Sequence, residues 1–426
     1  MFKCKPLAAA IIAIMATQAY ADDNSAEQNQ SGADNVAEVT QTGGQDNLSY
    51  QSQIGANNDG MVTQTNANLS DALQTQAGNG NLADIVQTGT QQSEAIQEQY
   101  GDENDASIVQ NDSFGASAAQ YQDGNNNLAL TEQTAADLSS TVIDQAGNGN
   151  FAESIQENTE SSVSEQRQTG DENVSLVWQD GGARNDAMVD QQGNFNDATI
   201  YQVGAFDSSA DITQQGDSQV ASISQEGSEH TATIESNGLS NEAYIDQSGS
   251  LQTASIYQDG TSNSADVFQA EDSNSASIDQ AGDNNYVVVD QLAGSQNSAT
   301  LEQVGQYNEA YVTQEGTGQS VDFLQDGSDN LLTAQQTGNG NELSGSSYGD
   351  NNLVDVVQNG DLNVADIQQI YGSNNEVSLM QSGEGQLAQV LQGGDANRAV
   401  LDQSGMGNSA IVSQMGSGNL ATVTQQ

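Results

Sequence analysis

Polar and apolar residues alternate along this chain in short bursts, and each burst closes on a glutamine. In Asn81-Leu82-Ala83-Asp84-Ile85-Val86-Gln87, the residues six, four and two places before the glutamine are Asn, Ala and Ile. The same positions hold Asn35, Ala37 and Val39, then Asn104, Ala106 and Ile108, then Asn241, Ala243 and Ile245. A period of two places these residues on one face of a β-strand. Between a glutamine and the next burst the chain is rich in Gly, Asn and Asp, as in Ala77-Gly78-Asn79-Gly80, which is turn chemistry.

Closing glutamines fall at 30, 41, 53, 64, 76, 87, 99 and 110, and the series runs on to Gln425. It comprises 35 units, 25 of eleven residues and ten of twelve, with only Ser236 and Ser347 replacing the leading glutamine. Glycine sits two residues after it in 28 units. In twelve-residue units the extra residue falls in the turn, so strand register survives. Numbered from Gln30, nine of the ten longer units are even, and six of the seven units lacking the turn glycine are even as well. Two units per coil explain this, because all even turns then stack along one edge. The predicted fold is all-β: a two-strand-per-rung β-solenoid of the cross-β kind, about 17 rungs of 22–23 residues and roughly 80 Å long.

Charge sharpens the picture. The positions six, four and two before the glutamine hold no Asp, Glu, Lys or Arg in any unit, although 15% of the chain is charged. An unpaired charge costs several kcal/mol to bury, so this face is interior and the acids point outward or sit in turns. The one ionisable residue on it is His230, in an asparagine slot. Residues 1–21 read as a secretory signal peptide: Lys3 and Lys5, an apolar run, then Ala19-Tyr20-Ala21. Residues 22–29 are set apart as a short amino-terminal segment, and 30–426 as one repeat array. Beyond the leader, the only cations besides His230 are Arg167, Arg184 and Arg398, against 59 Asp and Glu in the chain. A net charge of −54 excludes nucleic-acid binding through a basic surface.

Nothing in the array points to catalysis, a cofactor or a metal ion. A phosphate-cradling loop needs a following helix and cationic help, and neither is present. Calcium-binding β-rolls repeat every nine residues with a fixed Asp, whereas the period here is mainly 11. Asp102, Asp171, Asp217, Asp283 and Asp350 do follow a turn glycine, which leaves weak screening by divalent cations open. Trp178, Tyr201, Tyr257 and Phe268 lie one place before the glutamine and face outward. They would cover the sheet, pack between fibrils or contact carbohydrate. The alternating Gln51, Gln74, Gln97 and Gln120, two places before a closing glutamine, predict a second interior amide ladder in the first part of the chain.

These spacings resemble the curlin repeat, S-x5-Q-x-G-x2-N-x-A-x3-Q. It occurs in full as Ser70, Gln76, Gly78, Asn81, Ala83 and Gln87; as Ser93, Gln99, Gly101, Asn104, Ala106 and Gln110; and as Ser139, Gln145, Gly147, Asn150, Ala152 and Gln156. The resemblance implies a secreted homopolymer, a curli-like functional amyloid fibre at the bacterial cell surface that serves biofilm matrix and adhesion. It also implies a nucleator subunit and an outer-membrane secretion pore as partners. Uncapped solenoid edges would let copies add end to end. The alternative is a monomeric or cell-associated β-solenoid adhesin that depends on divalent cations.

Overall fold

A computed structural model describes residues 23–426; the proposed signal peptide, residues 1–21, lies outside the described residues. The described chain forms 36 β-strands and no helix, from β1 (Ser25–Ala33) and β2 (Val36–Thr42) to β35 (Ser409–Met415) and β36 (Leu420–Gln425). Odd strands make one parallel sheet and even strands a second, 18 strands in each. Each strand pairs with the strand two further along, so every rung contributes one strand to each sheet. The pairings form two open ladders. β1 and β2 at one end, and β35 and β36 at the other, have a hydrogen-bonded neighbour on one side only among the described residues.

Register follows the glutamines. Gln53 pairs with Gln76 and Gln76 with Gln99, a step of 23 residues; farther along, Gln247 pairs with Gln269, a step of 22. Where a twelve-residue turn stacks on an eleven-residue one, the ladder absorbs the extra residue as an irregularity, between Gln202 and Phe206 and again between Asp290 and Ala293. Such bulges localise the mismatch and spare the strand that follows.

The residues set apart as 22–29 are more regular than the glutamine count suggested. Asn24, Ala26 and Gln28 occupy the positions six, four and two before Gln30, and Ser25–Ala33 pairs in register with Leu48–Ala56. The array therefore starts one strand earlier. That strand was missed because the count began at a glutamine, whereas a unit's strand precedes its glutamine.

Between the sheets lies a thin core. Ile212, Ile234 and Ile256 come from one sheet, Ile223 and Ile245 from the other, and all five are buried with the alanines two places before them. The apolar interior is continuous from Val177 to Val412, but earlier it splits into two smaller clusters, Val62 to Ala118 and Ala129 to Ala152. The gaps hold buried polar side chains that bond to one another. Gln120 Nε2 donates to Thr131 Oγ1 at 3.0 Å, Ser154 Oγ to Ser164 Oγ at 2.8 Å, and Ser175 Oγ to Gln166 Oε1.

Candidate functional site

The candidate surface is the face by which one rung receives the next. Its chemistry is spread over columns of identical side chains. Gln76, Gln99 and Gln145 lie in the odd sheet; Gln87, Gln110 and Gln156 lie in the even sheet, and all are buried. Gln76 Nε2 donates to Gln99 Oε1 at 2.9 Å and to the Asn81 carbonyl at 3.0 Å, so one amide ties its own turn to the next rung. In the even sheet the glutamine ladder runs without a break from Gln41 to Gln425, each Nε2 donating toward the carboxyl-terminal neighbour, as in Gln87 to Gln110, 2.8 Å, and Gln403 to Gln425, 2.8 Å. The odd ladder is interrupted at the two sequence exceptions. Ser236 and Ser347 each donate onward, to Gln258 at 3.1 Å and Gln369 at 2.7 Å, but are too short to reach back to Gln214 and Gln325.

Asparagine and glycine form a second, interlocking device. Asn81 Nδ2 donates to the Gly101 carbonyl at 2.8 Å and to Asn58 Oδ1 at 3.1 Å, while Asn81 Oδ1 accepts the backbone N–H of Asn104 at 3.0 Å. Asn104 repeats this on Gly124, and Asn150 on Gly170. The same carbonyl explains the glycine column. Gly78, Gly101 and Gly147 have φ of 140°, 110° and 132°. A Cβ built on any of them would collide with the carbonyl oxygen of the glycine one rung on, Gly101, Gly124 and Gly170 respectively. Glycine is therefore fixed by close stacking as well as by backbone conformation.

This also explains which turns do without it. In the twelve-residue turns of the first half the corresponding residue has a left-handed φ, 54° at Asn66, 49° at Asp112 and Ala135 and 52° at Asn158. Asn and Asp tolerate that region. Four of the six exceptions in even units thus follow from turn length; Glu271 adopts the same left-handed backbone, φ 70°, in an eleven-residue turn. A second left-handed position, the residue just before the inward asparagine, escaped the sequence reading. It is Gly, Asn or Asp in 18 of 36 strands, types that tolerate this region, but it also holds Glu103, Phe195 and Tyr307, which blurred the pattern.

Ala83, Ala106 and Ala152 fill the space between the sheets, fully buried. Ser70, Ser93 and Ser139 take the asparagine slot in odd strands: Ser70 Oγ contacts Thr90 Oγ1 and Ser139 Oγ contacts Thr159 Oγ1, each at 3.1 Å, while Ser93 Oγ donates to the Ser113 carbonyl at 3.4 Å. The interior ladder through Gln51, Gln74, Gln97 and Gln120 is present and begins one rung earlier, at Gln28, with bonds of 2.8–3.0 Å. His230 is buried; its Nε2 lies 3.1 Å from the Glu226 carbonyl and its Nδ1 has no partner. Burial lowers its pKa below the ordinary histidine value.

The turn carboxylates form another column. Asn79 Nδ2 donates to Asp102 Oδ1 at 2.9 Å, Asn148 Nδ2 to Asp171 Oδ1 at 2.9 Å, and Asn194 Nδ2 to Asp217 Oδ1 at 3.0 Å. Amides separate the acids, so two carboxylates in this stretch are at least two rungs, ~10 Å, apart. That spacing is too wide for one ion to be shared. Among the described residues no group of three or more His, Cys, Asp or Glu is placed to hold a metal ion. Arg184 pairs with Asp207, with Nη2–Oδ2 at 2.6 Å, and Arg398 with Glu376 at 3.1 Å. Arg167 lies in register between Asp144 and Asp190. Burial against the sheet raises the pKa of Asp84, with Asp105 and Asp59 adding repulsion, and burial likewise raises Asp105, Asp197 and Asp211.

The profile of the Curlin associated repeat matches residues 182–205, 207–238, 238–270, 272–305, 349–383, 386–416 and 394–426. The three full motif copies, between residues 70 and 156, lie ahead of these segments but stack on the same columns. No curated protein matches the chain.

Proposed function

The chain belongs to the curlin repeat family, and from that premise we propose that it is the structural subunit of an extracellular, curli-like amyloid fibre that grows by end-to-end addition of copies. The observation that carries this reading is the equivalence of intramolecular and intermolecular contacts. Each internal rung is held by parallel backbone pairing, glutamine ladders and the Asn–Gly clasp, none of which depends on chain connectivity. At the last described rung the interior residues Ala421 and Val423 are half-exposed, whereas Ala399 and Leu401, one rung back, are buried. A second copy placed β1 on β35 and β2 on β36 keeps the odd and even columns continuous and covers them. An unpaired, apolar strand edge is the feature that templates addition.

Secretion, a nucleating partner, and a role in biofilm matrix and surface adhesion go with this reading. Growth of purified protein in chelator, followed by fibre diffraction, tests it. Expected are fibrils with a meridional spacing of ~4.7–4.8 Å. Protein that folds only with calcium, or that stays folded and monomeric when seeded, would overturn it in favour of a monomeric adhesin.

A further inference from the structure

The outward aromatic residues are unevenly divided between the two sheets. On the even sheet, seven of the eight consecutive strands from Phe151–Glu157 to Glu309–Thr317 carry one facing out, whereas the odd sheet has Tyr50, Tyr100, Tyr121, Tyr257 and Tyr348, of which Tyr100 and Tyr121 alone lie on neighbouring strands. The densest part covers four even strands, from Glu242–Ser250 to Glu309–Thr317. There Tyr244, Phe268, Tyr286 and Tyr311 interleave with carboxylates in register. Tyr244 pairs across the ladder with Asp266, Phe268 lies between Asp246 and Asp290, and Tyr286 pairs with Glu309. Tyr311 Oη is 3.2 Å from Glu309 Oε2, and the Tyr286 and Tyr311 rings are 5.7 Å apart. No Lys, Arg or His occupies an outward position of these four strands.

We infer that this face binds a cationic amino-sugar polymer lying along the solenoid axis, its ring faces on the aromatic side chains and its ammonium groups on the carboxylates. Three features select that partner. A second copy of the same face would set carboxylates against carboxylates. A neutral glycan would leave those carboxylates uncompensated beneath it. A partner recognised by charge alone would not distinguish the two sheets, because the odd face also carries outward acids such as Asp186, Asp190 and Asp211 without aromatic neighbours. Aromatic rings and carboxylates together attract ammonium groups through both cation–π and Coulomb terms. The face is present in the single chain, so the inference does not rest on polymerisation.

Binding of a glucosamine oligomer to the purified full chain tests it, with the N-acetylated oligomer and oligolysine as comparators. At ~0.5–1 kcal/mol per exposed ring, replacing Tyr244, Phe268, Tyr286 and Tyr311 by serine should weaken glucosamine binding about 30-fold or more. Serine at Tyr50, Tyr121 and Tyr257 should change it by less than about twofold, and circular dichroism of both variants checks that the sheet is intact. Equal loss in the two variants, equal binding of the acetylated oligomer, or the same aromatic dependence with oligolysine would each overturn the proposal.

Discussion

Replacing Gly101 by alanine separates the two reasons a turn can require glycine. Its φ of 110° is a region that side chains avoid, and its Cβ would meet the Gly124 carbonyl oxygen of the next rung. That carbonyl also accepts the Asn104 amide at 2.8 Å, so moving it aside breaks the clasp. Backbone strain contributes ~1–3 kcal/mol, overpacking ~1–3 and a lost buried hydrogen bond ~1–3. The terms overlap, and about 3–6 kcal/mol is expected in total. Gly204 is the control: its φ is 60° and a Cβ there meets nothing within 4 Å. Alanine at Gly204 should cost only about 1 kcal/mol. The assay is urea unfolding of single chains, read beside the seeded growth rate of each variant. Nearest-neighbour stability in a solenoid makes the Gly101→Ala defect local, visible as enhanced hydrogen exchange in the flanking rungs. Equal destabilisation by the two substitutions would refute the stacking argument and leave only backbone conformation.

Other consequences follow from the columns. Ser236→Gln should rejoin the odd ladder by accepting from Gln214, raising stability by about 1 kcal/mol in urea unfolding. Gln110→Leu breaks the even ladder between Gln87 and Gln133 and leaves two buried amides short of a partner, for a loss of about 2–4 kcal/mol by the same assay. Amide exchange should be faster between residues 118 and 175, where the interior is polar, than between 212 and 256, where isoleucines interlock. Acid should stabilise the sheet surfaces. Asp84, Asp105 and Asp266 have folded pKa values raised chiefly by burial, so the folded state binds more protons and stability rises as the pH falls toward the ordinary aspartate range. His230 acts oppositely: its lowered folded pKa means stability is lost as pH falls through the histidine range, so His230→Asn should show the larger acid gain in the urea midpoint.

The period-two face was legible because burial is absolute there: one charge in any unit would have blurred it, and none occurs. The two-unit rung was legible because turn length and glycine loss share a parity, and the structure supplies the cause, a left-handed backbone in the longer turns. Three things were not legible. The first strand was hidden because counting from Gln30 leaves out the strand that precedes it. The left-handed residue before each inward slot carries only half a signal: it is Gly, Asn or Asp in 18 of 36 strands, but Glu103, Phe195 and Tyr307 hold the same backbone in others. Asp102, Asp171 and Asp217 were legible as acids after turn glycines but not as members of a bonded column, because an amide and a carboxylate serve equally as acceptors and alternate within it.

The same logic bears on assembly. The columns favour stacking wherever like meets like, yet the outer surfaces carry nearly all of a net charge of −54. In the proposed fibre, addition of a copy would therefore bring two acidic rods end to end, with the short-range gain confined to one rung and the repulsion summed over several. Only charges within a Debye length of the junction count, ~10 Å at 0.1 M salt and ~30 Å at 0.01 M, or about two rungs against six on either side. Raising salt should thus accelerate elongation steeply at first and then level off once the screening length approaches the rung spacing, because the ladders themselves are buried and unscreened. Elongation rates from seeded growth across a salt series at constant pH measure this. A rate independent of salt would refute the repulsion argument.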